Sequence, residues 1–174
     1  AADLGAGLDG IAAVQAARAA RDPGALVLAV LDARRASLGL EAPAQELQVV
    51  RVEQDSTGAT RVRLSQVYLT IPVEGAELSV QVDAGLRLRV VSGRYVRTPA
   101  GADGRPAIDA AAALAAAARA AGISSDRLRN VTPVLVWYPD DRGVVRLAYR
   151  VPVEADLIRR EQVFVDAKTA AIIA

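Results

Sequence analysis

Apolar residues recur at helical spacing through the first forty or so positions and then, after Pro43, at a period of two. The opening 21 residues are rich in Ala and Gly, with Leu8, Ile11 and Val14 loosely spaced. This predicts a weak helix or a mobile arm over residues 1–23. Asp22-Pro23 supplies an N-cap followed by proline at the first helical position. Val27, Val30, Leu31, Arg34 and Leu38 continue the period as far as Gly39, which predicts a helix over about 23–37.

Leu47–Glu53 is rich in β-formers, Asp55–Gly58 reads as a turn, and Arg61–Ser65 alternates charged with apolar side chains. The result is a hairpin with one wet face. Leu78, Val80 and Val82 alternate with Ser79 and Gln81, Asp83-Ala-Gly85 turns the chain, and Leu86, Leu88 and Val90 alternate with Arg87 and Arg89. Pro72 cannot donate to a sheet ladder, so the run from Val62 to Asp83 is expected to bend or bulge there, near a sheet edge. Two prolines and two glycines mark residues 98–106 as a linker. Beyond it, Asp109 caps an alanine-rich helix that Gly122 stops, with Leu114 its one large apolar residue. Three strands follow, Val134–Tyr138, Val144–Val151 and Gln162–Asp166. Helix then meander occurs twice, in residues 24–97 and 107–174, so the class expected is α+β: two tandem modules, each a helix packed on an antiparallel sheet.

Composition narrows the chemistry. The 174 residues are 52% hydrophobic, ample for a core, yet contain no apolar run long enough to read as a membrane helix. Lys+Arg 21 against Asp+Glu 20 leaves a net charge of +1, which gives no general attraction to nucleic acid or anionic lipid. Neither membrane nor nucleic acid is an expected partner. Without Cys or His there is no disulfide framework, thiol nucleophile, histidine base or soft-metal site. Asp140-Asp141 lacks the alternating oxygen ligands of a calcium loop and reads as a solvated turn. Ser65, Ser79, Ser92, Ser124 and Ser125 have no base and no nucleophile elbow, Lys168 has no Ser-x-x-Lys partner, and no glycine-rich phosphate loop follows a strand. No catalytic residue is expected, and the chain reads as a non-enzyme. Arg61/Arg63 and Arg87/Arg89 fit a solvated sheet face better than a nucleic-acid surface, since the chain is only 3% aromatic. Tyr68, Trp137, Tyr138 and Tyr149 fit core or edge packing. Arg159-Arg160 reads as an exposed loop rather than a processing site. The start at Ala1, without Met or a signal segment, leads us to expect a trimmed piece of a longer precursor.

Gly58, Val62-Arg63, Gln66, Tyr68, Pro72-Val73 and Gly75-Ala76 stand in the order and spacing of a recognisable pattern. The segment from Glu46 to Val80 resembles the fungalysin/thermolysin propeptide (FTP) motif. Thr70 stands where that motif usually has glycine, and Arg61 where histidine is common. The second half is similar to the PepSY domain that usually follows in such precursors. An alanine-rich helix precedes a strand, Leu147-Ala-Tyr149-Arg-Val151 and Val163-Phe-Val-Asp166-Ala-Lys-Thr169, with Ala170 in place of the common glycine. Together the two resemblances cover roughly residues 24–174.

The resemblance implies cystatin-like and PepSY-like modules forming the prodomain of a secreted, thermolysin- or fungalysin-like zinc metallopeptidase. Such a prodomain assists folding of the catalytic domain and holds it inactive until removed. The implied partner is the cognate catalytic domain, which would carry the zinc, and possibly calcium; no cofactor is implied for this chain. The motif positions carried over are Arg63, Gln66, Tyr68, Pro72, Val73, Gly75, Tyr149, Asp166 and Thr169. Ile172, Ile173 and Ala174 are candidate contacts to the protease cleft by strand addition; the alternative for the isoleucines is that they close the sheet of their own module. The competing function is a free-standing exported binding or protease-inhibitor module of the same fold.

Overall fold

The computed structural model describes residues 3–154 and 160–174. The class is α+β, with seven strands in mixed pairing and five α-helices among the described residues. Two units divide the chain: residues 1–67 with 75–97, and residues 68–74 with 98–174.

In the first unit the N-terminal residues are part of the core. Helix α1 (Ala12–Ala19) buries Val14 and Ala17, and Leu8 ahead of it is buried too. The Leu4 amide donates to the Leu88 carbonyl at 3.0 Å, and Asp3 Oδ1 accepts from the Leu88 amide at 3.1 Å. Ile11, counted in the helical spacing, is the exposed N-cap. Helix α2 (Pro23–Ala33) is capped as the sequence predicts, with Asp22 Oδ1 accepting from the Ala25 amide at 3.0 Å. It stops earlier than expected. Arg34 leaves helical geometry at φ −99° and ψ 7°, and its guanidinium reaches Leu4 O at 3.2 Å and Ala6 O at 2.7 Å. A separate turn, α3 (Arg35–Leu38), then runs to the left-handed cap Gly39.

Helix α4 (Pro43–Glu46) leads into β1 (Leu47–Gln54), which pairs antiparallel with β2 (Thr60–Tyr68). Strand β3 (Ile71–Val82) pairs antiparallel with β4 (Leu88–Gly93). The inward faces of these strands meet α2: Leu26, Val27, Val30 and Leu31 share a core with Val62, Leu64, Leu78, Val80, Val82 and Leu88. Each such side chain contributes roughly 1.5–3 kcal/mol when fully buried.

The expectation at Pro72 needs correction. The chain reverses at Leu69-Thr70, both at left-handed φ (50° and 67°), while Pro72 is an exposed residue near the start of β3, whose own local turn comes at Gly75 (φ 65°). Two consecutive left-handed residues make a tight hairpin turn, and a proline so early in a strand forfeits little of the ladder. Strand β3 contributes residues 71–74 to the second unit and 75–82 to the first.

In the second unit, helix α5 (Ala110–Ala121) runs between the predicted caps: Asp109 Oδ1 accepts from the Ala112 amide at 2.8 Å, and Gly122 takes φ 67°. Its buried face is Ala113, Ala116, Ala117 and Ala118, and it packs on β6 (Val145–Glu154) and β7 (Arg160–Asp166). Side chains this small let the helix axis approach the strands closely. Strand β5 (Val134–Pro139) pairs antiparallel with β6, and β6 with β7. Val73 of β3 bridges Trp137 of β5 in parallel. Residues 98–106 are tied down within this unit: Lys168 Nζ donates to Asp103 Oδ1 and to Arg105 O, both at 2.6 Å. Of the Arg159-Arg160 pair, Arg159 lies outside the described residues, and Arg160 opens β7 exposed to solvent.

Candidate functional site

The motif positions expected from sequence fall into two groups, one in each unit. In the first, Gln66 is the centre of a buried polar cluster. Only 1% exposed, it donates through Nε2 to Val96 O at 2.7 Å and to Glu46 Oε2 at 3.2 Å, and its Oε1 accepts from the Val96 amide at 2.9 Å. The side-chain amide thus pairs with Val96 as a strand neighbour would, fixing the segment after β4 against β2. Glu46 also accepts a short hydrogen bond from the Tyr95 hydroxyl, which in turn accepts from the Glu41 amide at 3.1 Å. Burial pushes the Tyr95 phenol up to about 12, and the Glu46 carboxylate adds to the shift. Glu46, Tyr95 and Val96 were not singled out from sequence; one buried Gln gives no hint of which backbone it will serve.

Arg63 lies on the wet face of β2, directly across from Arg51 of β1. Strand β1 bulges at Val50, which is 58% exposed. Gly75, at φ 65°, lets β3 turn locally where an L-residue would be strained. Gly93 is tighter still: at φ 123°, a Cβ there would overlap the Glu77 carbonyl oxygen.

In the second unit, Tyr68 closes β2, its hydroxyl donating to Pro99 O at 3.1 Å and its ring tilted 57° against Trp137. Trp137 Nε1 donates to Tyr68 O at 2.9 Å. Val73 is buried beside them and Pro72 is exposed. Tyr149, buried on β6, donates to Ile108 O at 3.3 Å. Tyr68 and Trp137 pack on one another, and Trp137 also lines a surface pocket with Val144, Arg146 and Lys168. Asp166 ends β7 with Oδ1 accepting from the Lys168 and Thr169 amides at 2.8 and 3.0 Å, and Thr169 Oγ1 accepts from the Ala171 amide at 3.3 Å. The turn they build puts Ala170 at φ 62° and brings Ile172 opposite Val165. Ile173 is half-buried, packed on a cluster that includes Phe164, and Ile172 is exposed.

One device recurs that was not read from sequence. Asp55, Asp83 and Asp140 each accept on Oδ1 from the amides two and four residues on, and each closes a five-residue hairpin loop. The fourth loop residue is left-handed in each: Gly58, Leu86 and Gly143. In the second loop the left-handed residue is therefore Leu86, not the neighbouring Gly85. Backbone donation from Arg87 and the Arg89 guanidinium hold the Asp83 carboxyl at about 2.

Residues 45–95 match the family model described as Fungalysin/Thermolysin Propeptide Motif. That span carries β1–β4, Gln66, Gly75, Gly93 and Tyr95. No curated protein matches the chain. No helix among the described residues is long and apolar enough to cross a membrane, and among those residues no three acidic groups gather as a metal site would require. The span from β1 to β4 is thus similar to a propeptide motif of fungalysin- and thermolysin-type peptidases.

Proposed function

We propose that this chain is a prodomain of a secreted thermolysin- or fungalysin-type zinc metallopeptidase, acting as folding assistant and autoinhibitor of its catalytic domain. The observation that carries the reading is the propeptide-motif match over residues 45–95. Placement of Gln66 at the buried centre of that span supports it, because a motif residue with a structural task is what a folding unit of this kind needs. The second unit belongs to the proposal as a PepSY-type module.

The physics asks little of the interface. A covalently attached prodomain faces its catalytic domain at an effective concentration on the order of millimolar, so modest contacts suffice to template folding and cover a cleft. Cleavage of the connection removes that advantage. Zinc, and calcium where present, would belong to the catalytic domain; this chain has no His or Cys to hold a soft metal.

Two measurements test the reading. The genomic reading frame encoding this chain should continue into a His-Glu-x-x-His helix with a downstream glutamate ligand. Co-expressed as a separate chain with that catalytic domain, the prodomain should raise the yield of soluble peptidase and lower its activity. A frame that stops without a peptidase, or a catalytic domain that folds and works equally well without this chain, would refute the proposal.

A further inference from the structure

The last described residues occupy the free edge of β7. The Asp166 amide donates to Ala171 O at 2.8 Å, the Ile173 amide to Phe164 O at 2.8 Å, and the Phe164 amide to Ala174 O at 2.7 Å. Val165 and Ile172 form the antiparallel bridge between them. Ile173 packs on a small cluster of Val136, Ala148 and Phe164, with Tyr138 beside it, its ring 4.3 Å from that of Phe164. The base of this return is anchored by the Asp166 side chain and by Lys168, but Ile172 is 45% exposed and the connection passes through a left-handed Ala170. A non-glycine residue held at left-handed φ stores strain that detachment would release.

We infer that the β7 edge at Phe164–Asp166 is a strand-addition site for an extended peptide carrying a large apolar residue, and that residues 171–174 are its built-in, displaceable occupant. The ligand chemistry follows from the geometry. Backbone groups of Phe164 and Asp166 pair with any extended chain, and the cluster around Phe164 selects one apolar side chain at the position Ile173 now fills. Small residues suffice ahead of it, as Ala171 shows. This inference stands independently of the prodomain reading, since it concerns contacts within the second unit alone.

The test uses the full chain and a fluorophore-labelled peptide, Thr-Ala-Ala-Ile-Ile-Ala. Ile173→Pro removes the amide that bonds Phe164 O. It should speed hydrogen exchange at the Phe164 and Asp166 amides at least tenfold and raise peptide affinity at least tenfold over the unaltered chain. Ala170→Gly relaxes the turn and should do the reverse, slowing exchange at both amides several-fold and weakening peptide binding. Far-UV circular dichroism and Trp137 fluorescence check that both variants remain folded. Equal peptide affinity in all three chains overturns the inference, as does release of the amides in Ile173→Pro without peptide uptake. Should Ile173→Pro fail to fold, unchanged exchange in Ala170→Gly would by itself overturn it.

Discussion

Replacing Gln66 with methionine isolates the buried amide at the heart of the propeptide-motif span. Methionine matches the length and flexibility of the side chain, so the change removes three hydrogen bonds without opening a large cavity. The Val96 amide and carbonyl, both engaged by Gln66, lose these partners in a residue only 8% exposed. Each buried backbone group left unpaired costs about 1–3 kcal/mol. Set against the modest gain from burying a thioether instead of an amide, the net loss is about 3 kcal/mol. With a urea m-value on the order of 2 kcal/mol/M, the far-UV circular dichroism midpoint should fall by about 1.5 M. Gln66→Glu serves as a companion. It keeps an acceptor for the Val96 amide but sets a second carboxyl against Glu46, so at neutral pH it should remain destabilised. A Gln66→Met midpoint within about 0.3 M of the unaltered chain would refute the reasoning, since it implies a cost well below the range for even one orphaned backbone group.

Thr70→Gly relieves a β-branched residue at φ 67° and should stabilise the protein by about 1 kcal/mol, read as a raised urea midpoint; no gain would mean the turn is unstrained. Gly93→Ala should have the opposite sign and be large, enough to abolish the cooperative transition of the first unit, because its Cβ overlaps the Glu77 carbonyl. Tyr95 should titrate near 12 by absorbance at 295 nm. Its folded value lies above the ordinary phenol value of 10.0, so its contribution to stability is intact below that pH and is lost as the pH rises toward 12; in Tyr95→Phe that part of the alkaline loss should vanish. Asp83 runs the other way: its folded value of about 2 lies below the ordinary 3.8, so its contribution holds above pH 4 and fades as the pH falls toward 2. Asp83→Asn should therefore flatten the acid limb of the stability profile.

Helix caps and strand alternation were legible because they are local. Asp22 and Asp109 do what Asp does ahead of a helix, and Val62, Leu64, Val80 and Val82 point inward as alternation requires. What escaped depends on partners far along the chain. The break after Ala33 follows from Arg34 reaching back to Leu4 and Ala6, and burial of Leu8 and Val14 follows from the core that α2 and the strands supply. The proline at position 72 drew attention from the real reversal at Leu69-Thr70, where neither residue announces a left-handed turn. Thr70 and Ala170 both hold left-handed φ, a conformation glycine adopts without strain and that neither of these residue types signals in a sequence. From sequence Gln66 is only a position in a motif. That it addresses Val96 and Glu46 was not legible, because hydrogen-bond partners twenty and thirty residues away leave no periodic trace.

The three aspartate-led loops bear on how quickly this chain can find its shape. Each reverses direction within five residues using bonds from its own side chain, so the hairpins 47–68, 71–93 and 134–154 can close on the microsecond scale with little entropy lost to loop closure. The parallel bridge between Val73 and Trp137 has no such local help, since it must bring together residues some sixty positions apart. The rate-limiting search during refolding should therefore be for that encounter, and Trp137, the sole tryptophan, sits at the spot where its fluorescence would record it.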